Sequence, residues 1–167
     1  QVIKAAMAME VKEKIGTDRI ERLESAYLKL FMARLRRIPG IRMVGPEEPG
    51  DRIPIVSFNI AHGDRILHPK FVTKLLNDLF GVQSRAGCSC AGPYGHLLLG
   101  IDDATSLRYR EAIVCGREGI KPGWVRINLH WVFDRTDLDF LLKAIAFIAE
   151  NGPRFLQEYA YDQKTRE

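Results

Sequence analysis

Two cysteines separated by one serine lie in a segment rich in glycine, residues 87–95. A thiolate nucleophile needs a partly exposed loop and nearby cations that lower its pKa. Arg85 lies just before the cysteines and supplies one such charge. Cys90 is therefore a candidate nucleophile, and the alternative is a loop cysteine that is merely tolerated.

One histidine, His96, lies near Cys88 and Cys90, so these three residues form a candidate accessory group. A zinc site needs four ligands, usually at characteristic spacings. A C-x-C pair with one histidine has neither the usual spacing nor a clear fourth ligand. We therefore expect no metal site here.

Hydrophobic periodicity predicts the elements that must hold this loop. The predicted strands are residues 41–44, 53–60, 82–85 and 124–131. The predicted helices are residues 2–15, 18–38, 69–80, 105–115 and 136–148, with a last helical piece at 153–161. His68 is the expected N-cap of the third helix, Gly81 its C-terminal glycine, and Thr136 with Asp139 a capping box for the fifth helix. This order predicts an α+β domain, a small sheet with helices on it.

Composition excludes several classes of protein. The 167 residues are 46% hydrophobic and 28% charged, as in globular domains, with a net charge of +4. Basic residues form no stripe with aromatic platforms, so we expect no nucleic-acid binding. The longest apolar runs are far too short to cross a bilayer.

Three cysteines make no disulfide framework and favour a reducing cytoplasm. One of them, Cys115, lies in an apolar helical run and is expected to be buried.

Residues 85–93 carry a specific pattern. It resembles the Arg-x-Gly-x-x-Cys-Ala-x-Pro loop found in the cysteine desulfurases and selenocysteine lyases of the class V aminotransferase family of pyridoxal phosphate enzymes. The fixed positions are all filled, by Arg85, Gly87, Cys90, Ala91 and Pro93. In the desulfurases of that family, the loop thiolate attacks the sulfur of cofactor-bound cysteine, which leaves a persulfide and releases alanine. The resemblance implies this catalytic role for Cys90.

A second segment, residues 123–129, resembles the family strand whose arginine holds the substrate carboxylate, and this implies that role for Arg126. The planar guanidinium matches a carboxylate in a way that lysine cannot. Arg126 and Arg85 are therefore our predicted substrate-binding residues. An ordinary surface ion pair is the alternative for Arg126.

The resemblance covers nearly the whole chain and corresponds to the smaller, C-terminal domain of the family. It implies one domain over residues 1–167, part of a larger enzyme, with residues 1–40 as a helical lead-in and residues 95–121 as an insertion. The sheet should be mostly antiparallel with helices on one face, as in fold-type I enzymes. The large domain supplies the Schiff-base lysine, so we expect no cofactor-binding residue here, a solvated Lys70, and an isolated chain without activity.

The resemblance also implies a parent enzyme that uses pyridoxal phosphate, acts on cysteine or a similar amino acid, forms a homodimer and passes sulfur to an acceptor protein. Two departures leave alternatives open. Cys88 is unusual and is a resolving thiol, a persulfide relay or a spare small residue. The insertion leaves room for an aminotransferase or amino-acid lyase without a catalytic cysteine. The last alternative is a cofactor-free sulfur-carrier or interaction module, whose reading frame would begin near Gln1.

Overall fold

A computed structural model describes residues 1–50, 52–87 and 92–162. The α-helices are α1 (Val2–Ile15), α2 (Thr17–Leu35), α3 (Pro69–Phe80), α4 (Gly92–Leu99), α5 (Asp103–Val114) and α6 (Arg135–Asn151). The strands are β1 (Ile41–Met43), β2 (Ile55–His62), β3 (Arg65–Ile66), β4 (Arg85–Gly87) and β5 (Trp124–Asn128). Short 3₁₀ helices cover Glu118–Ile120 and Gly152–Glu158.

The strands form one small sheet in the order β1-β2-β5-β4, and β3 pairs with the end of β2. Each neighbouring pair is antiparallel. The prediction of a small, mostly antiparallel sheet is therefore confirmed, and β4, which precedes the cysteine segment, pairs with β5.

One face of the sheet carries the hydrophobic core. The alternate residues Val56, Phe58 and Ile60 of β2 lie on this face together with Val125 and Ile127 of β5, and all five are buried. Their partners come from α2, α3 and α6, and they include Leu28, Phe31, Leu75, Leu76, Leu138 and Ile145. Helices pack on this face because each presents one apolar stripe, so the α+β prediction is confirmed.

The ends of α3 follow the sequence expectation. The Nδ1 atom of His68 accepts a hydrogen bond from the backbone N–H of Lys70 at 3.3 Å, which makes His68 the N-cap. Gly81 ends the helix with a φ of 66°, a left-handed conformation that favours glycine. The capping box of α6 was predicted two residues too late: it joins Asp134 and Asp137, whose carboxylates accept each other's backbone N–H.

The last predicted helical piece is present as a 3₁₀ helix, Gly152–Glu158. Two further expectations were wrong. The segment after the cysteines is helical from Gly92, where the glycines and proline predicted a loop up to Gly95. Cys115 is exposed at the end of α5, because α5 buries none of its residues and so offers its apolar side chains no core.

Helix α1 also buries no residue, and the side chains of Val2 and Ile3 are 83% and 77% exposed. Within the described part of the chain, no helix has the length and apolar character needed to cross a membrane.

Candidate functional site

The face of the sheet opposite the core carries the predicted substrate-binding residues. Side chains alternate between the two faces of a strand, so residues between the core positions project to the other side. We call this side the second face and define it by residues of all four paired strands: Arg42, Ser57, Asn59, Arg85, Gly87, Trp124, Arg126 and Asn128.

The strand register brings Arg85 and Arg126 together. Arg85 of β4 lies directly opposite Arg126 of β5, and Ser57 of β2 lies opposite Arg126 on its other side. Residues paired in this way have Cα atoms about 4.5–5.5 Å apart. The two guanidinium groups therefore start from neighbouring positions on one face.

This arrangement places like charges side by side, which destabilises an antiparallel pair of strands unless a counter-charge lies between them. None of the ion pairs among the described residues includes Arg85 or Arg126. The five described strands contain no aspartate or glutamate. A carboxylate from outside the sheet would fit these two guanidinium forks.

The cysteine segment follows β4 directly in the sequence. Strand β4 ends at Gly87, which lies opposite Trp124, and α4 begins at Gly92. Gly87 has a φ of 128°, a backbone conformation that side chains oppose. Cys88 and Cys90 lie outside the described residues. The structure describes only the residues on either side of their segment, up to Gly87 and from Gly92.

The accessory candidate His96 lies in the second turn of α4 and is partly buried. Its position is close in sequence to the cysteine segment, but the helix fixes it one turn beyond Gly92. The structure thus separates the predicted residues into an arginine pair on the second face and a histidine on α4.

Asn59 is a residue that sequence reasoning missed. It is only 3% exposed, and its Nδ2 donates to the backbone carbonyl of Gly123 at 3.1 Å. Its Oδ1 is buried and has no hydrogen-bond partner among the described residues. Because Gly123 directly precedes β5, this bond fixes the start of the strand that carries Arg126. The only sequence signal was an asparagine on the polar side of an alternating strand.

His68 has a second role beyond capping α3. Since Nδ1 accepts from Lys70, the proton lies on Nε2, which donates to the carbonyl of Gly119 at 3.0 Å. The hydroxyl of Tyr161 donates to the same carbonyl at 3.1 Å. Burial lowers the pKa of His68, the charge of Lys70 adds to this effect, and the bond to Gly119 opposes it. A neutral His68 therefore ties the segment before β5 to α3.

The lysines that the structure describes lie outside the strands of the sheet. Each described lysine lies in a helix, apart from Lys121, which precedes β5 and bonds to Glu118 at 3.3 Å. No described lysine is on the second face.

Comparisons with known proteins show the family of this chain. A family model described as aminotransferase class-V matches residues 1–140. A probable cysteine desulfurase of Streptomyces coelicolor is 31% identical over 148 residues, which are 89% of this chain and 29% of that protein. Another, of Mycolicibacterium paratuberculosis, is 34% identical over 145 residues, 87% of this chain and 17% of that protein. The chain thus spans less than a third of either relative.

Among solved structures, the apo structure of the cysteine desulfurase from Thermococcus onnurineus NA1 is similar in fold. The TM-score is 0.61 and the sequence identity 25%, over 83% of this chain and 28% of that chain.

Proposed function

Since the chain belongs to the aminotransferase class-V family, we propose that it is the C-terminal domain of a pyridoxal phosphate enzyme of the cysteine desulfurase type. One observation carries the proposal. The register sets Arg85 opposite Arg126 on a face whose strands hold no carboxylate, at the point where the cysteine segment begins. This register supports the proposal, because one of the two arginines that would hold the substrate carboxylate lies on the strand directly before the cysteine segment.

Arg126 is the better placed of the two arginines to bind the substrate. It lies in β5, between β2 and β4, and is partly buried, so its backbone position is fixed from both sides. Its guanidinium would bind the substrate carboxylate through two parallel hydrogen bonds. Arg85 lies on β4 at the end of the strand order and is exposed. It would add positive potential at the carboxylate and beside the thiol.

Cys90 is the proposed nucleophile, on the strength of its position in the sequence motif. Its thiolate would form an S–S bond with the sulfur of substrate cysteine while the C–S bond of that cysteine breaks, and protonation of the β-carbon then gives alanine. The positive charge of Arg85, close to Cys90 in the sequence, would favour the thiolate form. When bound in the parent enzyme, pyridoxal phosphate would supply the electron sink for this cleavage. The lysine that holds it would lie in the large domain, so the isolated chain would be inactive.

The remainder of the parent enzyme would cover surfaces that this domain leaves exposed. Helix α1 buries nothing and exposes Val2, Ile3, Met7, Met9 and Val11. We infer that residues 1–40 lead in from the large domain and that α1 packs on it. Residues 95–121, with α5 fully outside the core, form the proposed insertion. A homodimeric parent and a sulfur-acceptor protein complete the proposal.

The test is alanine release from L-cysteine by the full-length parent, with pyridoxal phosphate and a reductant. We expect the wild type and Cys88→Ala to release alanine, and Cys90→Ala to bind cysteine without releasing it. Cys115→Ala is the matched control, because this exposed cysteine lies at the end of α5. Equal rates for Cys90→Ala and wild type would refute the thiol mechanism. They would favour a transaminase or lyase that uses only the arginine pair.

A further inference from the structure

Asn59 places a polar side chain inside the packed sheet. Of the polar and charged residues that the structure describes, it is the one that is buried. Its Nδ2 donates to the carbonyl of Gly123, whereas its Oδ1 is buried and accepts no hydrogen bond from a described residue. A leucine here would remove this unpaired oxygen but would leave the carbonyl of Gly123 without its donor. The two effects on stability oppose each other, so stability alone does not explain an asparagine at this position.

The bond to Gly123 lies where the pairing of β2 with β5 ends. The paired residues of these strands run from Ile55 opposite Asn128 to Phe58 opposite Val125. Asn59 is the next residue of β2, and its side chain makes the next connection, to the residue just before β5. The amide of Asn59 thus extends the junction between the two strands by one position.

The same end of β5 is joined to the start of the cysteine segment. Trp124, which follows Gly123, pairs with Gly87 of β4. Gly87 is the last described residue before the cysteines. The bond from Asn59 therefore supports the Gly87–Trp124 pair from the β2 side of β5.

Arg126 does not need this support to the same degree. It lies within the ladder, with Ser57 paired on one side and Arg85 on the other. Loss of the Asn59 amide should therefore disturb the end of β5 more than the position of Arg126.

We propose that Asn59 is a positioning residue for the cysteine segment, because it holds Gly123 and with it the Gly87–Trp124 pair from which the chain continues toward Cys90. The inference rests on the proposed function in one respect, namely that Cys90 is the nucleophile. When Asn59 is replaced, the substrate carboxylate would still bind at Arg126, but the thiol would be misplaced. A misplacement of about 1 Å can lower a rate by about 100-fold.

The test measures alanine release by the full-length parent with Asn59→Leu, a side chain of similar size that cannot donate. We expect kcat to fall about 10- to 100-fold, while KM stays within about threefold of wild type. Asn128→Leu is the matched control, since Asn128 is exposed at the other end of β5, and it should keep the wild-type kcat. The urea midpoint of Asn59→Leu should shift no more than that of the control. An asparagine with a structural role alone would instead lower the midpoint and leave kcat unchanged.

Hydrogen exchange with mass spectrometry is a second readout, and it does not depend on activity. Asn59→Leu should speed exchange in peptides covering residues 82–87 and 121–125, and Asn128→Leu should not. If Asn59→Leu does not fold, Asn59→Val, which also lacks the amide and favours strands, takes its place.

Three results would overturn the proposal: unchanged exchange in these peptides, a wild-type kcat, or a rise in KM as large as the fall in kcat. A wild type that releases no alanine would refute the desulfurase function instead. Faster exchange in the Asn59 variant would then still support its role in holding the end of β5, so the two failures are distinguishable.

Discussion

Two substitutions test the arginine pair. Arg126→Lys should lower kcat/KM, and Arg85→Gln should raise the free energy of unfolding. The two side chains come from directly paired positions and share no described carboxylate partner. They therefore repel each other in the free enzyme and are neutralised together when a carboxylate binds. A pair built for structure alone would not show this contrast.

The magnitudes follow from the geometry. Arg126→Lys keeps the charge but loses the planar fork, so one charge-assisted hydrogen bond, about 1.5–3 kcal/mol, is lost. This corresponds to a decrease in kcat/KM of about 10- to 150-fold. Arg85→Gln removes one of two like charges on neighbouring strands, a repulsion of about 0.2–1 kcal/mol, so it should raise the free energy of unfolding by that amount.

Two assays check these values. Alanine release by the full-length parent gives kcat and KM for each variant, and urea unfolding of the chain gives the change in stability. Arg42→Gln is the matched control, since Arg42 lies on the second face in β1, two strands away from β5. It should leave kcat/KM within about twofold of wild type.

Two results would refute the reasoning. If Arg126→Lys has wild-type kcat/KM, no carboxylate binds to its guanidinium fork. If Arg85→Gln lowers the stability, Arg85 has an attractive partner in the folded chain, and the pair is not held in repulsion.

Further predictions concern the elements that support the site. The pKa of His68 is lowered from its usual value of 6.5, so the folded chain binds fewer protons there than the unfolded chain. The contribution of His68 to stability should therefore be constant above pH 7 and fall as the pH drops below 6.5. Urea unfolding at a series of pH values checks this, and His68→Asn should flatten the dependence. Asp134→Ala removes the N-cap acceptor of α6 and should lower the free energy of unfolding by about 1 kcal/mol in urea, whereas Asp137→Glu should have a smaller effect. Gly81→Ala forces a side chain into a left-handed conformation at the end of α3 and should cost about 1 kcal/mol, checked by the midpoint of thermal unfolding; an unchanged midpoint would contradict the assignment of Gly81 as the helix-ending residue.

The local elements could be predicted because neighbouring residues determine them. The N-cap at His68, the terminating Gly81 and the alternation in β2 and β5 are patterns that act over a few residues, and the structure agrees with them. Where two local signals competed, the prediction failed. Thr136 with Asp139 fits a capping box, but Asp134 with Asp137 forms it, since both pairs have acceptable spacing and only the packing of α6 decides where the helix begins.

The motif at residues 85–93 and the arginine strand were also visible in the sequence, and they indicated the family. What they could not show is that Arg85 lies opposite Arg126. A register between residues far apart in the chain depends on which face of each strand is buried, and a shift of one residue would turn Arg126 into the core. The core side chains Val125 and Ile127, buried on either side of it, prevent that shift.

Burial likewise depended on the tertiary structure. The apolar surroundings of Cys115 suggested a core position, but α5 lies away from the core and the thiol is exposed. Asn59 lies between the apolar positions of its strand, yet it is buried with one hydrogen bond. A cavity between α3 and the C-terminal segment is lined by aromatic rings that are far apart in the sequence, so the sequence could not predict it.

The sequence by itself determined the elements and the chemical groups, because these depend on residue type and short spacing. Only the tertiary structure decided which groups face one another, because that depends on how the helices and strands pack.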